Sequence, residues 1–257
     1  MREICTVILA ALLAMPVAAQ DTGGAVRRLS ISLTAGGVFG GPASAIAGQL
    51  RAFGYGDAKP YSCFFSGILC SGPTDYPQFY GGAGGGLSLR YEVGDRWAVS
   101  GGWAKLDYGS ATGYRAGGLG NFVTTAWSGS VVSVAAHVEP VERLSLGGGV
   151  SVNRFQGDDG PGTQQASVTR LGLLAEATLR LPRASRFFWE VGLGGHWLPG
   201  SPEVVIGAPS GSLRLRPAWS YLTLRTGIGI RLQVARPGRS AIQAHVRPRG
   251  AQAHGRT

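Results

Sequence analysis

The chain has 257 residues, of which 43 are glycine, and a formal charge of +10 at neutral pH. That length suits one large all-β domain or two small ones. The glycines lie inside alternating apolar runs and not in Ser/Pro tracts, which argues against a low-complexity linker, and no segment after the first twenty positions offers about 18 consecutive apolar residues for a membrane-spanning helix.

At the N-terminus Arg2 precedes the apolar run Ile4 to Val17, and Val17-Ala18-Ala19 supplies the small residues that a signal peptidase reads. The pattern is that of a secretory signal peptide over residues 1–19, too short for a good transmembrane helix. Cys5 lies too far from the cleavage site for a lipid-anchor cysteine. An apolar core helix is the alternative.

The residues that follow have a period of two almost throughout. Eight runs alternate: 29–39, 83–93, 97–108, 126–139, 143–154, 168–181, 187–197 and 218–233. In the sixth, Leu171, Leu173, Ala175, Ala177, Leu179 and Leu181 alternate with Arg170, Glu176, Thr178 and Arg180 among the even positions. One face is apolar and the other polar, which is a strand pattern. In the third, the phase is lost after Trp103, as at a β-bulge.

The connections alternate in length. Gly94 to Arg96, Pro140 to Glu142 and Pro182 to Arg186 are short, whereas 40–82, 109–125, 155–167 and 198–217 are long. Greek-key crossings would scatter such lengths, so an up-and-down barrel with tight turns at one rim is expected. In the first long loop Ile46, Leu50 and Phe53 stand at helical spacing, which predicts a short amphipathic helix over 43–53. The same loop holds Cys63 and Cys70, an even pair in an exported chain, and a disulfide is expected there. A metal site is the alternative, but no His or acidic residue lies between them. The stretch 236–257 contains five arginines and no acid. A solvated basic tail is the plain reading, and binding of nucleic acid or anionic lipid the sharper one.

With eight amphipathic runs and alternating short and long connections, residues 27–234 resemble the eight-stranded outer-membrane β-barrel superfamily, which includes the small outer-membrane protein A-like barrels. The resemblance implies an all-β, eight-stranded antiparallel up-and-down transmembrane barrel over residues 20–235, in the outer membrane of a diderm bacterium. Lipid leaves no water for backbone groups, so strands that cross it must close on themselves. The partners it implies are outer-membrane lipid and the barrel-assembly machinery, with the chain a monomer. One departure is that the last strand ends Leu232-Gln233-Val234 where family members often finish on an aromatic residue. Trp97, Phe187, Phe188 and Trp189 lie just after short turns, and Phe39, Tyr80, Tyr108, Phe155, Trp197 and Trp219 lie near the long loops. These form two expected interfacial girdles.

An eight-stranded barrel is just wide enough for its own side chains. The expected inward set is Arg90, Glu92, His137, Glu139, Arg170, Glu176, Arg180, Glu190, His196, Arg225 and Arg231, forming a lumenal ion-pair network centred on Glu176, Glu190 and Arg225. Three functions are weighed on this basis. A structural or surface-binding role through the long loops, without enzymatic activity, fits best. A small porin-like channel for tiny or hydrophobic solutes is second. Lipid modification is third, using His137 with Glu139 or His196 with Glu190, though no motif singles out a serine nucleophile. A soluble lipocalin-like barrel is the remaining fold alternative, disfavoured by the scarcity of lysine on the polar faces. No cofactor, metal or nucleic acid is implied by any motif.

Overall fold

The computed structural model describes residues 27–56, 58–59, 62–64, 69–71, 74–75, 81–93, 96–115, 122–158, 165–182, 185–209 and 211–234. The expected signal peptide (1–19) and basic tail (236–257) lie outside the described residues, as does Tyr80. In chain order the elements are β1 (Arg27–Gly40), α1 (Pro42–Ala52), the short strands β2 (Ala58–Lys59), β3 (Ser62–Phe64), β4 (Leu69–Ser71) and β5 (Thr74–Asp75), then β6 (Gly81–Glu92) and β7 (Trp97–Tyr114). They continue with β8 (Phe122–Val141), β9 (Leu144–Asp158), β10 (Gln165–Leu181), β11 (Phe187–Trp197), β12 (Val204–Ala208), β13 (Gly211–Leu215) and β14 (Tyr221–Val234).

Eight of these strands close a barrel in the order β1-β14-β11-β10-β9-β8-β7-β6. All pairings are antiparallel, and the first and last strands zip together from Arg27↔Val234 to Gly40↔Tyr221. All eight alternating runs therefore become barrel strands. With β1 and β14 paired, the barrel sheet leaves no open edge.

Outward side chains form an apolar band. Leu171 is 71 % exposed, Leu33 63 % and Ile228 63 %, values that would be costly in water. On β10 the band runs from Leu171 to Leu181. The ten steps between them, at a strand tilt of about 40°, give a height of about 25 Å, that of the apolar band on a transmembrane barrel.

Glycines let the lumen hold large side chains. A Cβ on Gly229 would collide with the Phe188 ring, one on Gly157 would lie 2.6 Å from Trp127, and one on Gly147 2.6 Å from the His137 ring. Each of these bulky inward residues therefore has a bare backbone opposite it.

Three expectations need correction at the loop end. The segments 109–125 and 155–167 are mostly strand and not loop, because β7, β8 and β9 run on to Tyr114, from Phe122 and to Asp158. Their alternation continues with its polarity exchanged: Leu106, Tyr108, Trp127 and Phe155 are buried inside, whereas Lys105, Asp107, Arg154 and Gln156 are exposed outside. This exchange, and not a bulge, is what breaks the apolar phase after Trp103. The register shift itself falls at Asp107/Gly109, where Gly109 adopts φ 79° and its N–H reaches Asp107 Oδ1 at 2.8 Å. A positive φ of this kind is cheap only for a residue without Cβ.

The predicted helix is present with its start one residue earlier. Pro42 opens α1 and Ala43, Ile46, Ala47 and Leu50 form its buried face. Phe53 falls just beyond the helix and is 46 % exposed, so Ala43 and Ala47 take its place in the packing. The loop before β14 contributes a hairpin, β12–β13, whose Val204, Ile206 and Leu215 are buried in the same cluster. Gln49 ties helix and hairpin together: its Nε2 donates to the Arg216 carbonyl at 2.6 Å, and its Oε1 accepts from the Arg216 N–H at 2.8 Å. The two elements form a cap over the loop end.

Candidate functional site

The barrel encloses a lumen whose filling follows from strand parity. Even positions of β6, β10, β11 and β1 point inward, as do odd positions of β9 and β14, and the polar faces read from the sequence are these. Two layers result.

The layer nearer the short turns is charged. Arg90, on β6 and 1 % exposed, donates from Nη2 to Glu139 Oε1 at 2.8 Å and from Nη1 to Ser145 Oγ at 2.7 Å. His137 Nε2 lies 2.7 Å from Ser100 Oγ and 3.2 Å from Glu176 Oε1, and its Nδ1 lies 3.3 Å from Ser145 Oγ. Glu176 Oε2 accepts from Arg225 Nη2 at 2.5 Å. On the facing wall Arg180 Nε stands 3.3 Å from Glu190 Oε2, while Glu190 Oε1 accepts from Ser32 Oγ at 2.9 Å. Arg180 and Arg231 both lie over the Phe188 ring, at 5.1 and 4.6 Å. Arg231 Nη1 donates to the carbonyls of Pro182 and Ser185, closing the turn end.

Glu139, Glu176 and Glu190 thus each have at least one guanidinium, which is the condition for keeping charges out of water. Glu92 faces the lumen half-buried at the turn end of β6. Arg170 does not join this layer: it sits at the loop end, where its guanidinium bonds the Pro199 carbonyl. The reason is position along β10, since Arg170 pairs with Asn153, well above Glu176 and Arg180.

The second layer is aromatic. Trp219, Phe155 and Tyr108 are fully buried, with Trp219 at 4.7 Å from Phe155 and 5.3 Å from Trp127 between ring centroids. Trp219 is therefore not an interfacial residue, and neither are Tyr108, Phe155 or Phe188. Side-chain direction decides this: these rings stand at inward parity or fold in from the β13–β14 connection, whereas Trp97, Phe187, Trp189 and Trp197 point outward and are about 60 % exposed. Between the layers Tyr221 O–H donates to Asn153 Oδ1 at 2.6 Å, Asn153 Nδ2 donates to Ser151 Oγ, and Ser151 meets His196 Nδ1. His196 stacks on Tyr221 at 4.4 Å. A cavity of about 70 Å³ bordered by His196, Arg225, Gly36, Gly84 and Leu174 lies here, with room for a few waters.

Neither expected His–acid pair forms. His137 pairs with Glu176, not Glu139, and His196 meets Ser151 and Tyr221, not Glu190. The residues that sequence reasoning missed are Ser32, Ser100 and Ser145, together with Trp127. Their only signal is inward parity, which the charged positions already carried. Ser145 and Ser100 touch His137, and Ser145 is 2 % exposed and accepts from Arg90 Nη1. Among the described residues no cluster of three or more His, Cys, Asp or Glu could hold a metal.

The chain closes on itself through eight antiparallel strands in sequence order, with an apolar exterior. Its fold is a closed, eight-stranded, antiparallel up-and-down barrel. Solved structures similar to it include a major outer membrane protein from Thermus thermophilus, at 16 % identity over 80 % of this chain and 99 % of that one, with a TM-score of 0.49. The outer membrane protein OprG of Pseudomonas aeruginosa is similar at 12 % identity over 82 % and 97 %, with a TM-score of 0.46. The attachment invasion locus protein Ail of Yersinia pestis, solved with the heparin analogue sucrose octasulfate, is similar at 15 % identity over 81 % and 100 %, with a TM-score of 0.40. No protein-family model matches the chain, and no curated protein matches it.

Proposed function

We propose that the protein is an exported, non-enzymatic barrel of the bacterial outer membrane, acting as a structural or surface-binding element through its loop end. The observation that carries this reading is an apolar exterior wrapped around a lumen that its own side chains fill. A water-soluble barrel would carry polar residues where Leu171, Leu33 and Ile228 stand. A channel would need a continuous path, and the aromatic layer interrupts it. The protein is a monomer that meets outer-membrane lipid through its band and reaches the membrane through the barrel-assembly machinery. Residues 1–19 are a cleaved signal peptide, residues 20–235 the barrel and 236–257 a solvated tail.

The test combines three measurements. The protein should fractionate with the outer envelope and migrate differently on gels before and after heating, and in planar bilayers it should give no discrete current steps. Reproducible steps from the intact barrel would replace this reading with the channel.

The β3–β4 hairpin of the first long loop is stapled by a disulfide in this proposal. Cys63 and Cys70 are direct partners across the β3–β4 ladder, and antiparallel partners stand at Cα separations of about 4.5–5.5 Å, inside the range a disulfide spans. Alkylation of the unreduced, denatured protein should leave both cysteines unlabelled by mass spectrometry. Labelling of both would remove the staple.

A further inference from the structure

The outer surface of β7, β8 and β9 changes from apolar to basic within one step of the pleat. Trp103, Val132 and Val152 are cross-strand partners on the outward face. Two residues further toward the loop end, the partners are Lys105, Ser130 and Arg154. Lys105 and Arg154 are exposed, and among the described residues neither has an ion pair. The nearest carboxylate along β7, Asp107, accepts the Gly109 N–H through Oδ1.

The geometry points to a binding site for a phosphate-bearing lipid headgroup at the outer rim of the apolar band, held by Lys105 and Arg154 across Ser130. Strands β7 and β9 are two ladder spacings apart, about 10 Å, and the intervening Ser130 is short. Two long basic side chains flanking a small hydroxyl are able to reach one phosphate between them, with Arg supplying a fork and Lys a point charge. The lipid source follows from the row beneath: a headgroup seated there lays its chains along Trp103, Val132 and Val152, which a free anion would not use. Basic residues at a membrane surface attract anionic lipid, and Trp is a common neighbour at that depth.

This inference rests on the outer-membrane reading, and the experiment separates the two. The full chain is folded into phosphatidylcholine nanodiscs doped with bisphosphorylated lipid A or with the same lipid after dephosphorylation. Retained lipid is then quantified by native mass spectrometry. The wild type should hold the phosphorylated form selectively. K105Q and R154Q should each weaken retention about fivefold, and the double variant about twenty- to thirtyfold, while R186Q at the opposite rim changes nothing. Equal retention by the double variant, or of both lipids by the wild type, would overturn the site. Displacement by free inorganic phosphate would overturn the lipid source. Failure of the wild type to insert, or to show heat-shifted migration, would instead sink the membrane reading. The same migration assay verifies folding of each variant, and the single variants provide the measurement if the double variant does not fold.

Discussion

Replacing Glu176 by leucine is expected to lower barrel stability by about 3–5 kcal/mol, the cost of leaving a buried partner charge uncompensated. Glu176 accepts from Arg225 at 2.5 Å and faces His137 at 3.2 Å, and its side chain is almost completely buried. Removing it leaves the Arg225 guanidinium with Thr178 as its other hydrogen-bond partner, at 3.4 Å. The comparison that isolates the charge is the double replacement Glu176→Leu with Arg225→Met. Exchanging a buried pair for apolar groups of similar volume is often close to neutral, so the double variant should recover more than half of the loss. Urea titration of the folded barrel in vesicles, followed by tryptophan fluorescence, gives the three values. Additive losses would mean that the ion pair does not hold the lumen.

Trp219→Ala should cost a similar amount, about 3–5 kcal/mol, through a cavity at the loop end. The ring is fully buried against Phe155 and Trp127 and belongs to the cluster that also includes Ile46, Leu50 and Leu215. Its loss would loosen the cap as well as the aromatic layer, so protease cleavage within residues 41–56 should accelerate along with the loss of stability. By contrast, Trp97→Ala removes an outward ring that is 61 % exposed and should cost far less. If the two substitutions have equal effects, the aromatic layer is not a packed core.

The two expected losses differ in how far the sequence foretells them. Glu176 is legible because β10 alternates cleanly: with Leu173, Ala175 and Ala177 outward, Glu176 can only point in. Its partner is not, since parity says which residues share an interior but not which of eight walls faces which. Closure and register decide that Glu176 meets His137 and Arg225, while Glu139 is taken by Arg90. Trp219 misleads for a different reason. A tryptophan beside a long loop has the same local sequence in a lipid-facing girdle and in a lumenal plug, and only the direction of its side chain distinguishes them.

Local periods and turn residues are enough to set the eight strands, the one apolar face on each, the short turns and the helix of the first long loop, because each depends on neighbours within a few positions; that the apolar faces point outward is read from the closed barrel. Closure of the barrel is needed for the rest: the inversion of polarity above the apolar band, the lock of the cap through Gln49 and Arg216, and the placing of Lys105 and Arg154 on either side of Ser130. Those residues lie far apart in the chain and become neighbours only when a closed register sets one strand beside another.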